Sequence, residues 1–275
     1  MQRTVLALAL ALATPMAAIA AEAPGDTYAY VSESREQDQG PDGATSQTNR
    51  LAFELKVLAV TPQSVRQRFT LKSADAVDSQ GPSVQTAMRA MVDDPLDFDL
   101  APDGSLVGLP GWDAFKTRLL AKLDQSLPAS DPVRGRTHEM LDGDPADTAQ
   151  RLVIGDTQAM AASQAAARLA DGKVELPAQE EPIPGGGKLT SHASIEVSHA
   201  SAPACQVRVT RTVASDAAPK DAPAEHVEVT SEALISTVDG RVVSFTQHRT
   251  SRAADGSASE DLSIRRTSPL PACAQ

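Results

Sequence analysis

Large side chains are scarce in this chain: its 275 residues include one Trp, two Tyr and five Phe. The apolar share of 41% consists largely of alanine, with 46 residues. Each alanine buries a single methyl, where an aromatic ring buries roughly 150–250 Å2. A core must therefore rest on Val, Leu and Ile with few large anchors. Asparagine occurs once, as Asn49, and Arg50 and Leu51 follow it, so no glycosylation sequon exists. Beyond residue 20 no apolar run approaches the roughly 20 residues of a membrane span. That and a charged fraction of 22% exclude a bundle of membrane helices, and the apolar content excludes a wholly disordered chain.

Positive charge is also in deficit. The formal net charge is −11, and the best basic runs, Arg66/Arg68/Lys72 and Arg265/Arg266, are short. A surface that tracks phosphates needs clustered Lys and Arg, so nucleic acid and anionic lipid are poor partners, and no nucleic-acid partner is expected. Cysteine is limited to Cys205 and Cys273. In an oxidising compartment these two have one intramolecular pairing, a disulfide; no Cys-x-x-Cys spacing supports a reactive pair.

That compartment is indicated by residues 1–20. Arg3 precedes the run Val5-Leu6-Ala7-Leu8-Ala9-Leu10-Ala11-Leu12-Ala13, and Ala18-Ile19-Ala20 supplies small residues at both specificity positions of a signal peptidase. The pattern predicts a secretory signal peptide removed near Ala20. No Cys stands at the cleavage point to carry a lipid, and the expected location is the periplasm or the exterior, with no stable membrane anchor.

The remainder predicts strands, then helices, then strands. Residues 27–32 form a strand, and the polar stretch 33–49 a loop. Leu51, Phe53, Leu55 and Val57 alternate with polar residues, as do Val65, Phe69 and Leu71 after the turn Thr61-Pro62-Gln63-Ser64, which predicts an antiparallel hairpin. Residues 96–100 and 106–109 flank Pro102-Asp103-Gly104 as a second hairpin. Trp112, Phe115, Leu119, Leu120, Leu123 and Leu127 recur at helical spacing. Further helices are expected from Asp144-Pro145 and over residues 157–169. Strands resume at 188–198, 205–213, 226–238, 241–249 and 260–267, with a two-residue turn at Asp239-Gly240 and a polar loop at 214–224.

The fold class predicted is β-rich α+β: a curved antiparallel sheet or half-barrel assembled from N- and C-terminal strands, with a helical middle packed on it. The organisation expected is a signal peptide at 1–20, N-terminal hairpins at 21–111, helices at 112–172, a Pro/Gly-rich connector at 173–187 and C-terminal strands at 188–275.

Catalytic templates fail one after another. His138-Glu139 lacks the second His of a zinc-protease helix, since Asp142 stands there. Gly185-Gly186-Gly187-Lys188 lacks the hydroxyl residue and leading Gly of a phosphate loop. Asp93, Asp94, Asp97, Asp99 and Asp103 lack the spacing of a calcium loop and read as solvent-facing strand residues. No Gly-x-Ser-x-Gly elbow occurs. Simple two-residue register at Asp239-Gly240 would set His248 opposite Ser231, but Glu232 would point to the other face, so no triad is expected. No catalytic residue, metal or cofactor is assigned.

The succession of signal peptide, paired strands, the hairpin Asp97-Phe98-Asp99-Leu100-Ala101-Pro102-Asp103-Gly104, a helix, and Leu176-Pro177 before a Gly-rich approach to more strands resembles uncharacterised bacterial exported proteins of mixed sheet and helix. The resemblance spans most of the chain after the signal, rests on element order and turn motifs, and brings no catalytic residue. It implies a curved sheet, partly covered by helices, of the kind that holds an apolar ligand in periplasmic carriers. The sequence thus points to a non-enzymatic envelope protein that binds an apolar small molecule or a protein partner between its sheet and helices. A structural or assembly role is the alternative, and an enzyme without a recognisable motif the third reading. Trp112, Phe115, Leu119, Phe53 and Phe69 are the residues expected in the core or facing the ligand.

Overall fold

The computed structural model describes residues 22–41, 43–79, 81–183, 186–199, 202–220 and 223–273. The expected signal peptide lies outside them. The chain builds an open, curved antiparallel sheet of 12 strands with helices on one face, the β-rich α+β class expected. The N-terminal strands are β1 (Thr27–Gly40), β2 (Gly43–Val60), β3 (Val65–Asp78), β4 (Leu96–Leu100) and β5 (Leu106–Gly108). The rest are β6 (Gly172–Glu175), β7 (Gln179–Pro182), β8 (Gly187–Ser198), β9 (Gln206–Pro219), β10 (Glu225–Ser236), β11 (Val242–Ala253) and β12 (Gly256–Arg266). Their order is β5-β4-β3-β2-β1-β12-β11-β10-β9-β8-β6, with β7 also paired to β8. Two meanders thus meet where β1 pairs with β12, as Tyr30 opposite Arg266.

Alternation sets the inward face. In the β2–β3 hairpin Leu55 opposes Phe69 and Phe53 opposes Leu71, all four buried. On the outer face Arg66 donates to Asp99 through Nε at 2.9 Å and Nη2 at 3.0 Å, and Arg68 donates to Asp97 at 2.6 and 2.9 Å. These forked pairs tie β3 to β4, so Asp97 and Asp99 meet arginines as well as solvent. Asp94 departs further from the expected solvent-facing role, because it is buried against the helices.

Helix α1 (Ser83–Ala90) and helix α3 (Pro132–Leu141) have no counterpart in the sequence reading. Helix α2 (Trp112–Ser126) falls where the apolar spacing predicts it, burying Trp112, Phe115, Leu119 and Leu123. Helix α4 (Pro145–Ala149) begins as expected: Asp144 caps it by accepting from the Ala146 and Asp147 amides, with Pro145 in the first turn. It runs through a π-helical turn, Gln150–Ile154, into α5 (Gly155–Ala166), where two separate helices were expected. Gly155 permits this, because a Cβ there would lie 2.6 Å from the Gln150 carbonyl oxygen.

Two expected loops are strand instead. Residues 33–40 and 43–49 extend β1 and β2 to a tight turn, and residues 214–219 extend β9. Polar composition suggested a loop, but β1 has β2 on one side and β12 on the other, and backbone hydrogen bonding to both neighbours holds it without apolar side chains. The stretch expected as a plain connector, 173–187, likewise holds most of β6 and all of β7, and both pair with β8.

Candidate functional site

The inward face of the sheet grades from packed to open along the strands. Row by row, cross-strand partners share a face. One row runs Val197, Val209, Ala233, Phe245, Ile264, Ser32 and Leu51; all but Leu51 are buried. Beneath it the Tyr30, Phe53 and Phe69 rings stack at centroid distances of 5.4 and 5.2 Å. Burial pushes the Tyr30 hydroxyl up to about 12, its neighbours Arg241 and Arg266 acting in the opposite sense. This end is the hydrophobic core.

The next row outward runs Ile195, Arg211, Ser231, Gln247, Leu262, Ser34 and Asn49. Here the helices no longer sit on the sheet, and a cavity of about 1580 Å3 opens between them. Its walls come from this row, from Phe53, Phe69 and Leu71 at its apolar end, from Met88 on α1 and Met91 at its C-terminal end, and from Leu152, Val153, Ala159, Ala162 and Leu169 on the π turn, α5 and the segment after it. The β4–β5 turn closes against α5. Gly104 has φ +87°, and a Cβ there would stand 2.6 Å from the Ala162 amide nitrogen, so only glycine allows that approach.

Polar and charged residues share the lining with the apolar ones, among them Arg151 and Asp156 on the helical side and Arg249 and Glu260 on the sheet. Asn49 donates through Nδ2 to Ser34 Oγ at 3.2 Å, and Ser191 and Ser215 share a hydrogen bond of 2.9 Å. Thr157 Oγ1 and Gln158 Oε1 of α5 are buried without a hydrogen-bond partner and belong to cavity-lining residues. Arg211 takes an inward position on β9 between Val209 and Val213, and its Nε has no hydrogen-bond partner. Desolvation alone lowers its pKa from the usual guanidinium value.

No protein-family model matches the chain, and no curated protein matches it. Among solved structures, one of lipovitellin that concerns its lipid–protein interactions covers 92% of this chain with a TM-score of 0.47 and 9% identity. The aligned part is 26% of the lipovitellin chain, so this protein spans about a quarter of that length. An outer membrane channel from Pseudomonas putida covers 92% of this chain and 100% of its own, with a TM-score of 0.23 and 8% identity. A DUF1329 family protein from Desulfovibrio piger covers 89% and 88%, with a TM-score of 0.21 and 11% identity. At 8 to 11% identity they bring no residue role to this chain.

The residues singled out from sequence divide between core and cavity. Phe53, Phe69 and Phe115 are buried and also adjoin the cavity, whereas Trp112 and Leu119 are buried in the core and outside its lining. Trp112 and Phe115 meet at a centroid distance of 5.7 Å. Cys205 and Cys273 form a disulfide with their Cα atoms 5.9 Å apart, fastening the segment after β12 to the start of β9. His248 stands opposite Thr230 rather than Ser231, because a bulge at Leu234/Ile235 shifts the register by one. It therefore points away from Ser231 and meets Asp261 at 2.7 Å on the outer face. Lys188 pairs with Glu180 at 2.6 Å, while Gly185 lies outside the described residues.

Sequence reasoning missed α1, Thr157, Gln158 and Arg211. Only Arg211 left a legible trace: in the alternation Val207, Val209, Arg211, Val213 it is the charge standing where an apolar residue belongs.

Proposed function

We propose that the protein is an exported, non-enzymatic carrier that holds an elongated apolar ligand between its sheet and its helical layer. The observation that carries this is the cavity of about 1580 Å3 at the end of the core, well above the roughly 300–1,000 Å3 of ordinary small-molecule pockets. A monomer gains by closing apolar surface, and leaving Leu51, Met88, Val213 and Val229 partly exposed to the cavity forgoes burial at about 25 cal/mol per Å2. A ligand with an alkyl chain recovers that burial, at about 0.8 kcal/mol for each CH2 removed from water.

The signal-like residues 1–20 and the disulfide support placement in an oxidising compartment outside the cytoplasm, with cleavage near Ala20. No helix among the described residues is long and apolar enough to cross a membrane.

Native mass spectrometry of the purified mature protein, with organic extraction of the same sample, tests the reading. An added mass of lipid size, released into the organic phase, is expected. A bare chain that also fails to take up an apolar fluorescent probe would overturn it and favour a purely structural role.

A further inference from the structure

Among the described residues two cavity-lining arginines have a buried Nε without a hydrogen-bond partner, Arg151 on the π turn and Arg211 on β9, and Arg211 is the one on the sheet wall. Arg241 and Arg266 have side chains 4% and 5% exposed, and each holds a carboxylate at 2.6 Å, Glu22 and Asp239 respectively. Arg208, three residues before Arg211 and on the outer face, holds Glu232 at 2.6 Å. Arg211 faces inward, flanked along β9 by Val209 and Val213 and opposed across the sheet by Ile195 on β8 and Ser231 on β10. Glu196 and Glu232, the acids next to those partners in sequence, project from the opposite face. Glu260, an inward acid on β12, lies three strands away, or about 14 Å at the usual spacing.

A guanidinium cannot shed its proton, so an unpaired one set among apolar side chains keeps its desolvation penalty until an anion arrives. Burial lowers the Arg211 pKa with no carboxylate opposing it, which fits that state. The donors of a guanidinium match a carboxylate or phosphate in a two-pronged fork. Ser231 and Gln247, the next two members of its row, add a hydroxyl and an amide on the same wall of the cavity. From Gln247 the row continues through Leu262 to Ser34 and Asn49, and Leu51, Phe53 and Leu71 line the cavity beyond them.

We propose that Arg211 is the anchor for an anionic head group, so that the cavity takes amphiphiles carrying a carboxylate or a phosphate on an alkyl chain. This rests on the carrier reading and specifies its ligand class. The head pairs with the guanidinium, and the chain lies along the apolar wall toward the core. Because the charge is uncompensated in the free protein, the same residue lowers stability while it supplies affinity, as binding groups commonly do.

Isothermal titration of delipidated mature protein at pH 8 with dodecanoate, dodecyl phosphate, dodecanol and inorganic phosphate tests this, alongside Arg211→Gln. In the parent both anionic amphiphiles are expected to bind at least about tenfold tighter than dodecanol, the scale of one charge-assisted hydrogen-bonded pair. Inorganic phosphate alone is expected to bind weakly. Arg211→Gln should lose that preference, keep its affinity for dodecanol and melt no lower than the parent when free of ligand.

Dodecanol binding as tightly as dodecanoate to the parent would overturn the anchor and leave the carrier standing; this comparison needs no variant. An undiminished preference in Arg211→Gln would overturn the anchor as well. Failure of all three alkyl compounds to bind would sink the carrier and the anchor together. Inorganic phosphate binding as tightly as dodecyl phosphate would replace the amphiphile by a small anion.

Discussion

Asp94, 3% exposed, accepts a hydrogen bond from Arg118 Nε at 2.6 Å, and its second oxygen lies 3.4 Å from Lys122 Nζ. The carboxylate sits just before β4 and the two cations on α2, so this contact fastens helix to sheet beside the cavity. Arg118 and Lys122 are nearly half exposed and can rehydrate. Asp94→Ala should therefore cost about 2 kcal/mol, below the roughly 3–5 kcal/mol of stranding a fully buried charge. Urea denaturation of variant and parent checks it, and a loss under about 0.5 kcal/mol would mean that the contact does not hold the helix.

The disulfide closes a long loop, since Cys205 and Cys273 are 68 residues apart in sequence. In the chain-entropy model such a cross-link is worth about 4 kcal/mol, and native disulfides of secreted domains are worth about 2–5 kcal/mol. Cys205→Ser should fall within that range by chemical denaturation. Thiol labelling of the unreduced, denatured parent should find no reactive group; two per chain would refute the pairing.

The fold was legible wherever apolar residues alternate or recur. The β2–β3 hairpin follows from Phe53, Leu55, Phe69 and Leu71, and α2 follows from Trp112, Phe115, Leu119 and Leu123. The outer ends of β1, β2 and β9 were illegible because their residues are polar and their pairing rests on backbone hydrogen bonds. The register of β10 and β11 was misjudged because the bulge at Leu234/Ile235 leaves no mark in composition. Helix α3 did carry a sign, Asp131 followed by Pro132, and Asp131 accepts from the Val133 amide at 2.8 Å. The cavity could not be read at all. Alternation tells which face of a strand points inward, not how far away the opposing layer stands.

His226 on β10 faces Asp216 on β9, its Nδ1 2.7 Å from Asp216 Oδ1 and its Nε2 3.5 Å from Glu228 Oε1. The hydrogen bond to Asp216, then that to Glu228, holds its pKa above the ordinary value. A group whose pKa rises on folding contributes stability that is fully present below its unfolded pKa, about 6.5 for His. That contribution fades as pH climbs through the folded value. The imidazole should titrate by NMR with a midpoint above about 6.5, and the stability difference between the parent and His226→Gln should shrink from pH 6 toward pH 8. A midpoint at or below the unfolded value would contradict the pairing.

Phe115 is 1% exposed, packs on Trp112 at 5.7 Å and also borders the cavity. From sequence alone, core and ligand wall were competing roles for this ring; in the fold one side serves each. Phe115→Ala removes a buried ring, a change that costs about 3–5 kcal/mol in a closed core. Here the space left behind merges with a cavity already open to one side, which places the expected loss near the lower end, about 3 kcal/mol. Trp112 is the chain's one tryptophan and loses its ring partner, so its emission should shift to the red in the folded variant. Uptake of an apolar fluorescent probe should survive, because Phe53, Phe69 and Leu71 still form the apolar wall. Chemical denaturation followed by Trp fluorescence, with probe titration of the same samples, separates the two contributions. An unchanged unfolding midpoint with abolished probe uptake would make Phe115 a binding residue alone and remove it from the core.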